Sequence, residues 1–455
     1  MRLFKLWPGR GPYKKLRTGG VFRASPPMVL AGGFMLLIVL GAGLLCLPFA
    51  ADKPLGFFTA LFTATSAVTV TGLSILDADT HLQPFGYAVV AALVQIGGLG
   101  FVTFAVVAAM SLGKKVALQY QAVALEAFNQ TSVSKIRATA FVVFKLSAAI
   151  ELMGILVLTA WWLPGTGFLQ ALAQAVFHTI MAFNNGGMAL PGTAMGRYLG
   201  DPITILATTA LIILGGIGFS VVNDVRTKRK WGLLTSYTRI ILLATLLLNV
   251  FGFLLIWALE HGNPHTLGAL PMHAQALTAW LQSVASRTAG FHSIDLVHLQ
   301  DETTLVLMLL MFIGGGSLST ASGIKVGTFV VLLAAAWSYI RGHREIVLLR
   351  RTIAPDTVQK SLALLLVTGA LAFVATLLMC IIEKARFLDI LFEVVSALST
   401  TGATRDLTPS LSAPSHLLLI VLMFVGRLGP LTLIYSLSTQ RASRVRHPEA
   451  PFQVG

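Results

Sequence analysis

FTATSAVTVTGLSILD, Phe62 to Asp77, lies between two apolar runs that are each long enough to cross a membrane. The segment itself is too short and too polar to be a third span. It carries four Thr, two Ser and one Gly in a chain with little polar material elsewhere. Irregular backbone at membrane depth is tolerated only where it is buried in protein or lines a water-filled cavity. Such a segment needs partners, and three similar stretches elsewhere in the chain offer themselves.

The chain has 455 residues, of which 55% are hydrophobic and 11% charged, against about 25% charged in soluble domains. Its mean hydropathy is +0.80. These values describe a polytopic membrane protein. A net charge of +15 would suit nucleic acid, but its distribution argues for a lipid membrane instead. Of 33 Lys and Arg, 24 fall in five segments, 1–26, 111–137, 222–239, 341–360 and 440–455. Charge gathered in alternate loops is the positive-inside pattern, so these segments and both termini are expected in the cytoplasm. Cys46 and Cys380 sit inside apolar runs and give no disulfide framework. No cleavable signal peptide is evident, because the run from Met28 to Ala50 is long enough to remain as a span.

Apolar runs of helix length occur near 28–50, 87–110, 138–162, 202–222, 238–259, 303–313 continuing at 326–340, 359–382 and 416–437. They pair into four couples, each enclosing an outer segment of moderate polarity. The outer segments align on Gly72, Gly187, Gly290 and Gly402. Ten residues before each glycine is an aromatic (Phe62, Phe177, Trp280, Phe392), and five before each is Ala67, Ala182, Ala285 or Ala397. The stretches ending on the glycine read TVTG, NNGG, RTAG and STTG. A second motif follows, its first glycine 24 to 28 residues further on: IGGLG (Ile96–Gly100), LGGIG (Leu214–Gly218), IGGGS (Ile313–Ser317) and VGRLG (Val425–Gly429). Either motif alone is a common helix-packing pattern. Both in fixed order, four times over, indicate an internal repeat.

The expected fold is an all-α membrane protein with eight spans and four re-entrant helices. Four parallel units of span, outer segment and span would surround one axis in pseudo-fourfold symmetry. The expected organisation is a basic N-terminus (1–26), unit 1 (27–112), a cytoplasmic amphipathic loop (113–136), unit 2 (137–225), unit 3 (226–340), a cytoplasmic loop (341–356), unit 4 (357–440) and a C-terminus (441–455). Each outer segment offers about ten helical residues before its glycine, roughly 15 Å or half a bilayer core. Four such helices would point their partly negative C-terminal ends at a common centre, which favours a cation. The residues beside each glycine can then turn their carbonyls inward, glycine being suited to the turn because it tolerates positive φ. Carbonyl rings of this kind replace an ion's hydration shell. The candidate filter is Val70, Thr71 and Gly72; Asn185, Gly186 and Gly187; Thr288, Ala289 and Gly290; and Thr400, Thr401 and Gly402.

These motifs resemble the Trk/Ktr/HKT superfamily of potassium transporters over about residues 27–440. There, four M1–P–M2 units surround one pore with a filter glycine in each. The short stretch before the first span resembles the KtrB type, the ion-translocating subunit of Ktr systems. The resemblance implies potassium uptake across the plasma membrane (the bacterial inner membrane), driven by the membrane potential and, for Ktr-type systems, coupled to sodium. It also implies a homodimer with one pore per protomer and a cytoplasmic, KtrA-type regulatory ring with RCK domains. No nucleotide motif occurs in this chain, so nucleotide would bind that partner. None of the four segments has the channel-type TVGYG sequence, which keeps open a less selective Na⁺/K⁺ translocator.

Two departures from the repeat point to gating. GGGSLSTASGIKVGT, Gly314 to Thr328, interrupts the last span of unit 3 with three glycines, short polar residues and Lys325. The family carries an intramembrane gate here; the candidates are Gly314, Gly315, Gly316, Ser317, Ser319, Thr320, Ser322, Gly323 and Lys325. Such composition suits a mobile, low-stability element. In unit 4, Arg427 stands where the other units have Gly98, Gly216 and Gly315. An Arg at that depth is functional by default, and the family has a matching Arg in the pore below the filter. Its charge would oppose cation dwell, or its donors would anchor the loop's carbonyls. Glu393 is read as opening the fourth pore helix, and Lys145 and Glu151 as packing residues. Asp77 and Asp295, each five residues past a filter glycine, are either mouth charges or solvated loop residues. An intramembrane enzyme would need a nucleophile–base pair or a metal cluster, and no HExxH, GxSxG or paired Asp motif lies on these helices. An alternating-access transporter would show inverted halves, whereas these units are parallel.

Overall fold

The computed structural model describes residues 26–76, 82–100, 133–191, 193–343 and 345–429. Asp77, the loop assigned to 113–136 up to residue 132, the C-terminal segment and nearly all of the basic N-terminus lie outside the described residues. The chain is helical, with one short hairpin. A pattern of long helix, short buried helix and second helix recurs through it. It runs α1 (Pro26–Leu45), α2 (Phe57–Val68), α3 (Pro84–Leu99); then α4 (Val133–Thr166), α5 (Phe168–Asn184), α6 (Pro202–Gly216) with α7 (Phe219–Lys228). It continues with α8 (Ser236–Glu260), α9 (Met272–Ala285), α10 (Asp301–Phe312) with α11 (Val326–Ile340); and ends with α12 (Pro355–Ile382), α13 (Phe387–Leu398), α14 (Ala413–Leu428).

Among the described residues, α1, α4, α8 and α12 are single helices long and apolar enough to cross a membrane. Only 28–33% of each span is buried, which leaves the rest for lipid. The second helix of each unit is shorter. α6 turns by 99° into α7, and α10 is parted from α11 by a loop. The sequence has one continuous run at 202–222; the helix instead ends where Gly218 adopts φ 101°, ψ 136°. Gly100 and Gly429 adopt nearly the same angles at the ends of α3 and α14, in a left-handed region that favours glycine. In units 1, 2 and 4 the last glycine of the motif thus ends the helix, whereas in unit 3 α10 stops at Phe312, before its motif. The short helices have the reverse burial. All of α2 from Phe62 to Val68 and all of α13 from Phe392 to Leu398 is buried.

An acidic side chain fastens the two long helices of each unit at their shared end. Asp52, after α1, accepts from Gln83, which precedes α3. Asp201 caps α6 through Ile203 N at 3.1 Å and takes the Trp161 indole N–H of α4 at 2.9 Å. Glu260, the last residue of α8, accepts Gln300 N before α10 at 2.9 Å, together with the side chains of Asn263 and Thr266. Glu383, after α12, accepts Ser412 N before α14 at 2.9 Å. Asp201, Glu260 and Glu383 thereby satisfy backbone donors at a helix start, whereas Asp52 takes a side-chain amide. Within 341–356, Val347–Leu348 and Arg351–Thr352 form an antiparallel hairpin. Leu349 and Arg350 make its turn at φ 46° and 62°, without the Asn-Gly signal that such turns prefer.

Glu260 is fully buried, so Glu260→Ala leaves several donors unpaired. Stability is expected to fall by about 1–3 kcal/mol, seen as a lower thermal midpoint in detergent. Glu302→Ala, on the exposed first turn of α10, is expected to stay within about 0.5 kcal/mol. Equal midpoints for the two variants would remove the fastening role.

Candidate functional site

The four short helices end alike. In α2, α5 and α13 the chain leaves the helix through one residue in the left-handed region: Val70 at φ 56°, Asn185 at φ 64° and Thr400 at φ 49°. The next N–H then reaches five residues back: Thr71 to Ser66 O at 2.8 Å, Gly186 to Met181 O at 2.7 Å and Thr401 to Ser396 O at 2.8 Å. This is the bond pattern of a Schellman cap. The third unit places Thr288 at φ 68° and bonds Gly290 N to Ala285 O at 3.0 Å. Val and Thr are β-branched and seldom adopt positive φ; each such residue costs about 1–3 kcal/mol and persists only where its surroundings over-determine it. Gly72, Gly187, Gly290 and Gly402 are again left-handed, at φ 97°, 64°, 70° and 83°. In each unit two left-handed residues therefore flank one that is not, and the alternating carbonyl directions of a regular strand are lost.

The glycines close a ring. A Cβ on Gly72 would lie 2.6 Å from Gly186 O, one on Gly187 2.7 Å from Ala289 O, one on Gly290 2.2 Å from Thr401 O, and one on Gly402 1.9 Å from Thr71 O. Each filter glycine thus touches the backbone of the next unit, and the fourth returns to the first. The twelve filter candidates of the sequence are brought together, three from each unit. Several polar side chains in the ring are buried without a hydrogen-bond partner: both amide atoms of Asn185, and the hydroxyls of Thr288 and Thr401. Buried polar groups are normally paired, so this cluster is unusual.

Different side chains brace each segment. Gly72 N donates to Ser66 Oγ at 3.0 Å. Glu151 of α4 accepts Gln95 Nε2 at 2.8 and 3.0 Å, and Gln95 Oε1 accepts Asn184 Nδ2 at 2.7 Å, one residue before the second filter segment. Glu151 thus meets its partners on other helices, whereas Lys145 is exposed. Glu393 does not open α13. It is the seventh residue, wholly buried, and accepts the hydroxyls of Thr404 and, at 2.7 Å, Thr408, just past the fourth filter glycine. The sequence showed its helix but not the returning segment, where Thr408 opens a 3-10 turn. Asp295 accepts Val297 N at 2.9 Å and faces His298 at 2.9 Å. Partial burial works against its charged form, but these partners outweigh it and hold its carboxyl below the usual range.

The second glycine motif serves close packing. A Cβ on Gly97, Gly215 or Gly426 would lie 2.0, 1.9 or 2.1 Å from Val68 O, Phe183 O or Leu398 O, at the ends of the short helices. In unit 3 the corresponding Gly314 meets Ser322 O of its own loop instead, at 1.8 Å. That loop spans Ile313–Lys325, and Val326 and Gly327 already belong to α11. Its two ends pair through Gly314 N to Ile324 O at 2.9 Å and Val326 N to Gly315 O at 2.9 Å. Gly316 N donates to Gly216 O at 2.7 Å, and Thr320 Oγ1 to Phe183 O at 3.1 Å. Lys325 Nζ donates to Ala321 O at 2.6 Å. Arg427 of α14 reaches the loop at Thr320 O and at Ser322 Oγ (3.1 Å) while holding Gly97 O and Gly98 O (3.0 Å) of α3. The loop is thus heavily hydrogen-bonded, more firmly than its composition suggests. Of the gate candidates, Ser317 is exposed and donates its N–H to Tyr237 Oη at 3.3 Å. Ser319 donates to Gly316 O at 2.7 Å, and Gly323 is left-handed at φ 66°.

Residues 28–444 match the TrkH family, described as cation transport proteins. The chain is 42% identical to Ktr system potassium uptake protein B of Bacillus subtilis, over 95% of this chain and 97% of that one. It is 38% identical to the Vibrio alginolyticus protein of the same name, over 94% of each. It is 33% identical to the potassium/sodium uptake protein NtpJ of Enterococcus hirae, over 95% of this chain and 98% of that one. The crystal structure of the potassium transporter TrkH from Vibrio parahaemolyticus superposes with a TM-score of 0.70 at 20% identity, covering 95% of this chain and 87% of that one. This last likeness concerns the fold.

The close approach at the second motif makes a measurable contrast. Gly426→Ala places a methyl against Leu398 O and is expected to cost about 1–3 kcal/mol. Gly369→Ala, inside α12 with nothing within 4 Å of its Cβ position, is expected to add about 0.5–1 kcal/mol through helix propensity. Thermal midpoints that move in opposite directions are the expected result.

Proposed function

Because this chain belongs to the TrkH family of cation transport proteins, we propose that it carries potassium into the cell through a single pore. The four filter segments would be the selective element. The observation that carries this reading is the closed ring of glycine contacts, with two left-handed residues in each segment. Such a ring sets backbone carbonyls and the negative ends of four helices around one centre, which substitutes for the hydration shell of a cation. The strain at Val70, Thr288 and Thr400 supports a functional reading, since strained residues cluster at ligand sites. On this proposal the four units surround the pore in pseudo-fourfold order, the shorter second helices completing eight crossings. The cytoplasmic side carries 222–239, 341–360 and both termini, following the basic segments.

Loop 313–325 is proposed as the gate, with Arg427 as its latch. Of the two roles weighed for Arg427, its hydrogen bonds to loop and to α3 favour anchoring. The names of the Ktr relatives support a system with other subunits. A homodimer regulated by a cytoplasmic nucleotide-binding ring, and coupling to sodium, extend the proposal on the family resemblance. A second reading is a translocator of Na⁺ and K⁺ with weak preference, favoured by the four unlike filter sequences and by the name of the Enterococcus relative.

Flux of K⁺, Rb⁺ and Na⁺ into liposomes holding the purified chain tests the proposal. A K⁺ preference lost in Gly290→Ser supports the filter. Comparable Na⁺ and K⁺ flux in the wild type selects the second reading. Unchanged K⁺ affinity and K⁺/Na⁺ ratio in folded Gly290→Ser would remove the filter assignment.

Arg427 gives a separate measurement. Hydrogen bonds to a charged group contribute about 1.5–3 kcal/mol each. Losing one loop anchor is therefore expected to raise maximal flux about tenfold in Arg427→Ala and Arg427→Gln. Lys has a single nitrogen that cannot hold the loop and α3 together, so Arg427→Lys is also expected to raise flux. Wild-type flux for Lys alone would restore the charge-repulsion role, and wild-type flux for all three would remove both.

A further inference from the structure

Arg287 lies three residues before Gly290, at the base of the third filter segment. The matching residues in the other units are the uncharged Thr69, Asn184 and Ser399. Arg287 is buried, at 7% exposure. Its guanidinium bridges two acceptors: Nη1 donates to Asn249 Oδ1 of α8 at 3.0 Å, and Nη2 donates to Gly314 O at 2.8 Å. Gly314 is where the loop leaves α10 and where its two ends meet. One side chain therefore joins the backbone of the filter to the root of the loop.

The connection is stiff at both ends. Thr288, the next residue, is left-handed and strained. Beside the guanidinium lies a narrow cleft bounded by Asn249, Val284 and Gly315, with room for about one water. A buried charged donor that loses its acceptor is strongly disfavoured, so Arg287 has to follow the Gly314 carbonyl or resist its movement.

We propose that Arg287 is a positioning residue that couples loop 313–325 to the third filter segment, so that K⁺ preference depends on whether the loop is seated. The inference rests on the filter and gate readings above. When the loop leaves, Gly314 O turns from the guanidinium and the Thr288–Gly290 backbone loses its support. Filter and gate then act as one two-state unit, rather than as a fixed filter above an independent gate.

The test uses the full chain in liposomes, reading maximal flux and the K⁺/Na⁺ ratio together. Arg287→Lys and Arg287→Gln are each made with the native loop and with a loop shortened by deleting 317–320. With the native loop, Arg287→Lys is expected to raise flux and lower the K⁺/Na⁺ ratio by about tenfold, the worth of one charge-assisted bond. With the shortened loop, the same substitution is expected to change the ratio less than about twofold. An equal change in both backgrounds would overturn the coupling and leave Arg287 acting on the filter alone. An unchanged ratio and flux in assembled native-loop variants would overturn it outright. If shortening the loop leaves flux unchanged while Arg287 is intact, the gate reading itself fails, and the coupling with it. Asn249→Ala, which keeps Arg287 but removes one acceptor, serves where Arg287 variants do not assemble. It is expected to shift both readouts in the same direction, and wild-type values would overturn the proposal.

Discussion

Everything in this structure depends on four short helices whose C-termini end inside the protein. A helix end leaves carbonyls unpaired, and hydrocarbon offers them nothing. The chain answers with a tight left-handed cap on each short helix and with a ring in which every filter glycine abuts the next segment. The long helices α1, α4, α8 and α12 are apolar and mostly unburied, as spans would be. The acidic fastenings at Asp52, Asp201, Glu260 and Glu383 hold each long helix to its successor.

The repeated units share geometry but not chemistry. The ring is braced by a serine hydroxyl in unit 1, by the chain Glu151–Gln95–Asn184 in unit 2, by Arg287 in unit 3 and by Glu393 in unit 4. Backbone conformation is what the ring repeats four times over. The side chains behind it need only hold that conformation, and each unit meets the need separately. This explains how unlike filter sequences produce nearly the same dihedral angles.

The asymmetry gathers around the loop of unit 3. Arg287, Lys325 and Arg427 each donate to its carbonyls, at Gly314, Ala321 and Thr320. Three cationic side chains gathered on one loop are costly in a low-dielectric interior. Backbone carbonyls take a donor from each without adding a carboxylate, and Arg287 Nε stays unpaired. The same carbonyls fix the loop, so the charges that would repel an ion also hold the element proposed to block it.

The sequence by itself determined the membrane class, the repeat, and the register of the four filter glycines. These follow from hydropathy, and from positions where only glycine fits a left-handed turn or a backbone contact. It also singled out Arg427 and the interruption at Gly314, because a charge and a glycine run break an otherwise apolar pattern. What only the tertiary structure decided are pairings between residues far apart in the chain. Val70, Thr288 and Thr400 carry no local sign of positive φ, since the ring forces it on them. Glu393 looked like a helix opener because its partners, Thr404 and Thr408, lie on an irregular returning segment that periodicity cannot place. Gly97, Gly215 and Gly426 read as generic small residues until the carbonyls of Val68, Phe183 and Leu398 were found against them. Arg287 was visible as a letter in RTAG, but its acceptors, Asn249 and Gly314, are 38 and 27 residues away. Local sequence specifies local backbone preference; the partner of a buried donor is fixed only when the units close around the axis.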